Sequence, residues 1–84
     1  MSKAEEFRAA FIDNNDRVYI PRAYNKMIEK IKQNVKDGIN PSVFESKELF
    51  TSQYAKDKTI DRLRDDGFVL KVETYGGSKI WVYL

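Results

Sequence analysis

Carboxylate pairs are the side chains of this sequence with the greatest potential for metal binding or acid–base catalysis. Asp65 and Asp66 are adjacent, and Asp13 and Asp16 lie three residues apart. Adjacent residues do not share a helix face, and no third ligand converges on either pair. The sequence has no histidine and no cysteine, which excludes imidazole bases, thiolate nucleophiles and the commonest zinc ligands. These aspartates are therefore predicted to serve helix ends, and we expect no enzyme activity, no metal, no cofactor and no small-molecule substrate.

A second set of charged side chains has two interpretations, which the sequence leaves open. Lys58, Asp61, Arg62 and Asp65 recur at three- and four-residue spacing and alternate in sign. Such a face can satisfy its own charges in water, or its cations can contact nucleic-acid phosphates that its aspartates repel. The net charge is only +2, and the positive excess lies in residues 21–38, with five cations against two carboxylates. Those cations are predicted to be solvated, with backbone contact to a nucleic acid as the alternative.

The length and composition indicate one small globular domain, residues 1–84. A hydrophobic content of 42% is sufficient for a core, and 84 residues are too few for a second one. The N-terminus shows no secretory signal, and no apolar run approaches the roughly 18 residues that span a membrane. Because the absence of cysteine suits a reducing compartment, we expect a cytoplasmic location.

The N-terminal part predicts a helix that packs on the rest of the domain. Ser2 and Glu5 form a capping box, so the helix begins at Lys3. The polar cluster 13–16 should end it, and Pro21 should hold residues 18–20 in an extended conformation. Its apolar stripe, which we expect to be buried against the body of the domain, consists of Ala4, Phe7 and Phe11.

The strongest helical periodicity lies between Pro21 and Gly38. Pro21 suits the first turn of a helix, and Gly38 suits the position just after its end. Residues 39–44 are predicted to form a loop with a short strand at its end. The stripe of apolar residues on this second helix comprises Tyr24, Met27, Ile28, Ile31 and Val35.

The C-terminal part predicts two more helices and a β-hairpin. Ser46 caps a short helix that ends at Phe50, and residues 51–56 form a connection. Asp57 caps the helix 57–66, which Gly67 ends. Two strands follow, 68–74 and 80–84, with Gly76 and Gly77 in the turn between them.

The hairpin register is predicted from the segregation of its apolar side chains. A three- or five-residue loop places the aliphatic residues of both strands on one face, and a slip by one residue would invert this arrangement. That face would contain Leu70, Val72, Ile80, Val82 and Leu84, while the other would contain Lys71, Glu73, Trp81 and Tyr83. Two alternatives remain for Trp81 and Tyr83: the first helix covers them with Phe7 and Phe11, or these four residues form a dimer or partner surface.

Two segments of this region resemble the winged-helix superfamily. The first reads Ser46-Lys-Glu-Leu-Phe50, and the second runs from Lys58-Thr-Ile-Asp-Arg-Leu to Gly67-Phe-Val69. The resemblance covers residues 21–84 and leaves 1–16 as an N-terminal helical extension. It implies an α+β fold, a winged helix-turn-helix with three or four helices and a C-terminal β-hairpin. Similarity to a winged helix would also make the short strand at the end of residues 39–44 the third member of the hairpin sheet.

The resemblance also implies a function, that of a small DNA-binding protein that regulates transcription, and the small one-domain chain is compatible with a phage or plasmid regulator. Helix 57–66 would lie in the major groove of duplex DNA, and the wing at 75–79 would lie on the backbone. The DNA-contacting residues so implied are Lys56, Lys58, Thr59 and Arg62 in and before the helix, and Lys71, Tyr75, Ser78 and Lys79 in the wing. A single module rarely binds tightly alone, so a homodimer or a protein partner is expected. The alternative is a winged-helix protein–protein interaction module, an adaptor or inhibitor of a larger complex without DNA binding.

Overall fold

The chain folds into an α+β arrangement of helices and one small antiparallel sheet. The computed structural model describes residues 2–73 and 78–84. Within these ranges no helix is both long and apolar enough to cross a membrane. The elements are α1 (Lys3–Asn14), a π-helical turn (Asn15–Tyr19), α2 (Ile20–Lys36), β1 (Ser42–Glu45), α3 (Ser46–Leu49), α4 (Gln53–Asp65), β2 (Val69–Val72) and β3 (Lys79–Tyr83).

Residues 3–36 form one uninterrupted helical segment, so the predicted helix end at 13–16 and the extended residues 18–20 are both wrong. Asn15 is buried; its side-chain amide donates to the Phe11 carbonyl at 2.8 Å, and its side-chain oxygen accepts from Ser52 Oγ at 3.2 Å. Because the Asn15 side chain is buried with partners for both its amide nitrogen and its oxygen, it is compatible with a position inside the helical segment. Pro21 has no N–H to donate, and the wider π-helical turn before it accommodates its ring.

Helix α1 projects beyond the body of the domain, which corrects the prediction that its stripe is buried. Every residue of α1 is exposed, including Phe7 at 70% and Phe11 at 45%. The reason is the continuity with α2, which directs α1 past the core. The Cα radius of gyration of 14.4 Å exceeds the roughly 12 Å expected for a compact domain of this length, and the extents are 52 × 27 × 21 Å.

The hydrophobic core lies between α2, α4 and the inner face of the sheet. Its buried residues are Met27, Ile31, Phe44, Ile60, Leu63, Ile80 and Val82. The periodicity of α2 correctly predicted Met27 and Ile31, whereas Val35 is exposed near the end of that helix. Gly38 adopts a φ of +73° just after the helix, as its type and position predicted.

Helix α4 is longer than predicted and begins at Gln53. Ser52 is its N-cap, because Ser52 Oγ accepts from the Ala55 N–H at 3.1 Å. Asp57 therefore lies inside the helix, and the predicted connection 51–56 shortens to the three residues 50–52. Gly67, with a φ of +98°, ends the helix as predicted.

The sheet has the strand order β1–β3–β2, with all neighbours antiparallel. Val72 pairs with Ile80 and Leu70 with Val82, which confirms the predicted hairpin register. The predicted third strand is also confirmed as β1, which pairs with β3. The predicted glycine turn falls on residues 74–77, which lie outside the described ranges.

Two serine N-caps provide a matched stability test. Ser52→Ala is expected to lower the free energy of unfolding by about 1 kcal/mol for the lost cap, and by about 1 kcal/mol more because buried Asn15 loses a partner. Ser2 makes the same cap bond on the exposed helix α1, where Ser2 Oγ accepts from the Glu5 N–H. Ser2→Ala should therefore leave the urea midpoint nearly unchanged. Equal losses of unfolding free energy in the two variants would contradict a stabilising contact between Ser52 and buried Asn15.

Candidate nucleic-acid interface on helix α4

Helix α4 presents a charged outer surface beside a closely packed inner one. Ala55, Thr59, Ile60 and Leu63 are buried. Between positions 56 and 66 the sequence places four cations and four aspartates. Because the inner residues are buried, the charged side chains lie on the outside of the helix. They form one row along each edge of the exposed surface, here called the borders, and a central row.

The border that faces α2 carries two cations held over aromatic rings. Lys58 Nζ lies 5.8 Å from the centre of the Tyr54 ring, and the Arg62 guanidinium carbon lies 3.7 Å from the centre of the Tyr24 ring. The Tyr24 hydroxyl donates to the Asp66 carboxylate, and this hydrogen bond is the main reason that the pKa of Tyr24 is raised. Cation–π contacts keep both positive groups at the surface without neutralising them.

The opposite border faces strand β2 and lines a shallow groove of about 460 Å³. Lys56 and Arg64 contribute its positive charge. Its other lining residues are Gln53, Asp57, Ile60, Asp61, Val72 and Glu73. With two cations and three carboxylates, the groove has no net preference for an anionic ligand.

Three aspartates run along the outer side of α4, and two of them, Asp57 and Asp61, also line the groove. Asp57, Asp61 and Asp65 are all exposed, and their four-residue spacing places them on one side of the helix. Carboxylates in this position can accept hydrogen bonds from amino groups, whereas the flanking cations can bind phosphates. The alternation of positive and negative side chains is visible in the sequence. The direction in which each charged side chain points depends on which side of α4 packs against the core.

The prediction that Thr59 contacts DNA is wrong. Thr59 is fully buried, and its hydroxyl donates to the Ala55 carbonyl oxygen at 2.7 Å. The predicted helix began too late, which moved the expected N-terminal turn to residues 58 and 59. With the helix beginning at Gln53, Thr59 lies in its second turn on the inner face.

The structure does not bring the predicted wing residues together with α4. Lys71 and Lys79 lie on the outer face of the sheet, where Lys71 Nζ is 5.5 Å from the centre of the Trp81 ring. Ser78 Oγ donates to the Glu45 carboxylate at 2.8 Å, so that hydroxyl already has a partner. Tyr75 is outside the described residues.

The N-terminal end of α4 is joined to the long helical segment by contacts that sequence reasoning missed. The Tyr54 hydroxyl donates to Asp16 at 2.8 Å, which is the first cause of the raised pKa of Tyr54. The Phe11 and Tyr54 rings lie 6.0 Å apart. Ser52 as an N-cap was the available signal, because it would have placed Tyr54 in the first turn of the helix.

The two carboxylate pairs of the sequence lie on different elements, one in the long helical segment and one at the end of α4. Asp13 accepts from Arg17 at 2.7 Å inside the helical segment, so its predicted helix-end role is wrong, as is that of Asp16. Asp66 is the C-cap of α4, in agreement with the prediction. Within residues 2–73 and 78–84, no three acidic side chains are placed to hold a metal ion.

The four residues predicted for a dimer or partner surface lie on two separate surfaces. Phe7 and Phe11 are on the exposed stripe of α1, and Trp81 and Tyr83 are half-buried on the outer face of the sheet.

Comparison with known proteins identifies no relative: the chain matches no family model, no curated protein and no solved structure.

Proposed function

We propose that this chain is a winged-helix domain that binds duplex DNA as a small regulatory protein, with α4 in the major groove. The observation that carries the proposal is the order α2, β1, α3, three-residue turn, α4, β2, β3, together with the strand order β1–β3–β2. Two helices joined by a three- or four-residue turn form the motif that places its second helix in a DNA groove. The hairpin follows α4 directly in the chain, and in a winged helix the wing has this position in the order of elements.

The charge pattern of α4 suits a helix that lies in a groove. An α-helix with its side chains is about 10–12 Å across, and the major groove is roughly 12 Å wide, so both borders would approach phosphates. Lys58 and Arg62 on one border and Lys56 and Arg64 on the other would contact the two strands. The central row led by Asp61 would face base edges, where a carboxylate accepts from the amino group of cytosine.

Salt dependence of binding to a labelled mixed-sequence duplex tests this function. We expect micromolar binding at low salt and a linear fall of log K with log salt, because each phosphate contact releases condensed counterions at about 0.9 per contact. Four contacts from α4 would give a slope of about −3.5. Absence of binding at roughly 50 mM salt would contradict the proposal.

A protein-binding winged-helix module is the second candidate, and one observation favours it. The surface from 56 to 66 carries as many carboxylates as cations, so it lacks the positive excess typical of DNA-binding surfaces. Such a surface can pair with a mixed-charge protein partner. The same titration separates the candidates, because this module would leave the labelled duplex unbound at low salt.

A further inference from the structure

The outer face of the sheet is rich in apolar side chains, although it is in contact with solvent. Seven side chains of the three strands point outward, and four of them are large and apolar: Val43, Val69, Trp81 and Tyr83. Val43 is 46% exposed and Val69 is 63% exposed. The register places Val43, Trp81 and Lys71 in one row across the sheet. A solvated face of an antiparallel sheet is normally polar, so this face has the composition of one that is covered.

Helix α1 provides the second uncovered apolar surface. Its stripe carries Phe7 and Phe11, with Ala4 one turn before Phe7. All residues of α1 are exposed, although the Phe11 ring also contacts Tyr54, and most helical stability in proteins comes from packing of an amphipathic face. α1 therefore gains stability from any surface that covers this stripe.

These two surfaces do not meet within one chain. Helix α1 continues the axis of α2, and its stripe stays exposed from Ala4 to Phe11. A helix stripe and an apolar sheet face are the two components of an ordinary helix-on-sheet layer. One chain carries both the helix stripe and the sheet face, but they are not in contact. Two chains can therefore form two such helix-on-sheet layers, each with the helix of one chain and the sheet of the other.

We propose that the chain forms a symmetric dimer in which α1 of each copy packs on the outer sheet face of the other. The exchange closes on itself through a two-fold axis, because each copy gives one helix and accepts one. The inference does not depend on DNA binding. It retains the sequence-based pairing of Phe7 and Phe11 with Trp81 and Tyr83, but between copies.

The area available distinguishes this arrangement from a dimer in which the two α1 helices pair with each other. Phe7 and Phe11 would bury roughly 200 Å² per copy at their observed exposure, or about 400 Å² in total. Specific interfaces start at about 1,200 Å². Covering Val43, Val69, Trp81 and Tyr83 as well would bring the apolar area to roughly 1,000 Å² before any polar rim is counted.

The experiment uses the single tryptophan of the chain as a reporter of the sheet face. Sedimentation equilibrium and Trp81 emission are measured on the full chain over the same concentration series. We expect the mass to double and the emission to shift to shorter wavelength together. The Phe7→Ser, Phe11→Ser variant should stay monomeric with unshifted emission and keep its fold, because α1 has no buried residue. Val35→Ser, at an exposed apolar position on α2, is the matched control and should dimerise normally.

Cross-linking then identifies the contact, since the natural chain has no cysteine. An Ala4→Cys chain is mixed with a Val69→Cys chain and oxidised. Disulfides between unlike chains are expected from the helix-on-sheet exchange. Disulfides between Ala4→Cys chains alone, dimerisation without a Trp81 shift, or a monomer at every concentration would each overturn the proposal.

Discussion

Neutralising Lys58 and Arg64 together is expected to weaken binding to duplex DNA by about 100-fold. The two side chains lie on opposite borders of α4, so in the proposed complex the Lys58→Gln, Arg64→Gln variant would lose one phosphate contact on each strand. A hydrogen bond to a charged group contributes about 1.5 kcal/mol or more, which corresponds to roughly tenfold per contact. The salt slope should also fall in magnitude by about 2, measured with the same labelled duplex.

A control variant with the same change in net charge distinguishes direct contacts between α4 and phosphates from the general attraction of a positive chain to DNA. Lys32 and Lys36 are exposed on α2, one turn apart, on the side of that helix away from its buried residues. Lys32→Gln, Lys36→Gln should change affinity only slightly at moderate salt, because charges beyond about 10 Å are screened. If the α2 variant loses as much affinity as the α4 variant, the positive face of α2 is the binding surface and α4 is not.

Leu63→Ala is expected to lower the free energy of unfolding by about 3 to 4 kcal/mol. Leu63 is fully buried in the core between α2, α4 and the sheet. Truncation of such a leucine removes transfer free energy and leaves a cavity, with measured costs of about 3–5 kcal/mol. Small domains have only about 5–15 kcal/mol of stability, so this single change approaches unfolding at moderate temperature.

Leu84→Ala is the matched control, since it makes the same chemical change at the end of the chain. Leu84 follows β3 and is 64% exposed, although the sequence pattern placed it on the buried face with Val82. Its truncation should cost less than about 0.5 kcal/mol in urea denaturation. A cost comparable to that of Leu63→Ala would show that Leu84 is covered in solution.

The exposed stripe of α1 shows why its burial was predicted incorrectly from the sequence. The sequence shows that Phe7 and Phe11 form a stripe, but a stripe does not identify what covers it. The helix continues through Asn15, which is buried and whose side chain bonds with Ser52, 37 positions later in the sequence. Without that distant partner, an asparagine in a polar cluster is more typical of a helix end.

The first residue of α4 is a second feature that local sequence preference did not predict. Ser52 and Asp57 are both good N-cap residues, and local preference does not choose between them. Burial of Ala55 and Thr59 against the rest of the domain makes Ser52 the cap. That choice added a turn to the helix and moved Thr59 from the expected DNA contact to the interior.

The sequence by itself determined the elements whose pattern is local. The spacing of Met27 and Ile31 predicted the core face of α2, Gly38 and Gly67 predicted two helix ends, and the alternation in β2 and β3 predicted the register. These signals are local because periodicity and positive φ act within a few residues. Tertiary structure alone decided the course of residues 13–20, the start of α4 and the exposure of α1. The reason is that each of these depends on side chains brought together from distant parts of the chain, where burial changes which hydrogen bonds are favourable.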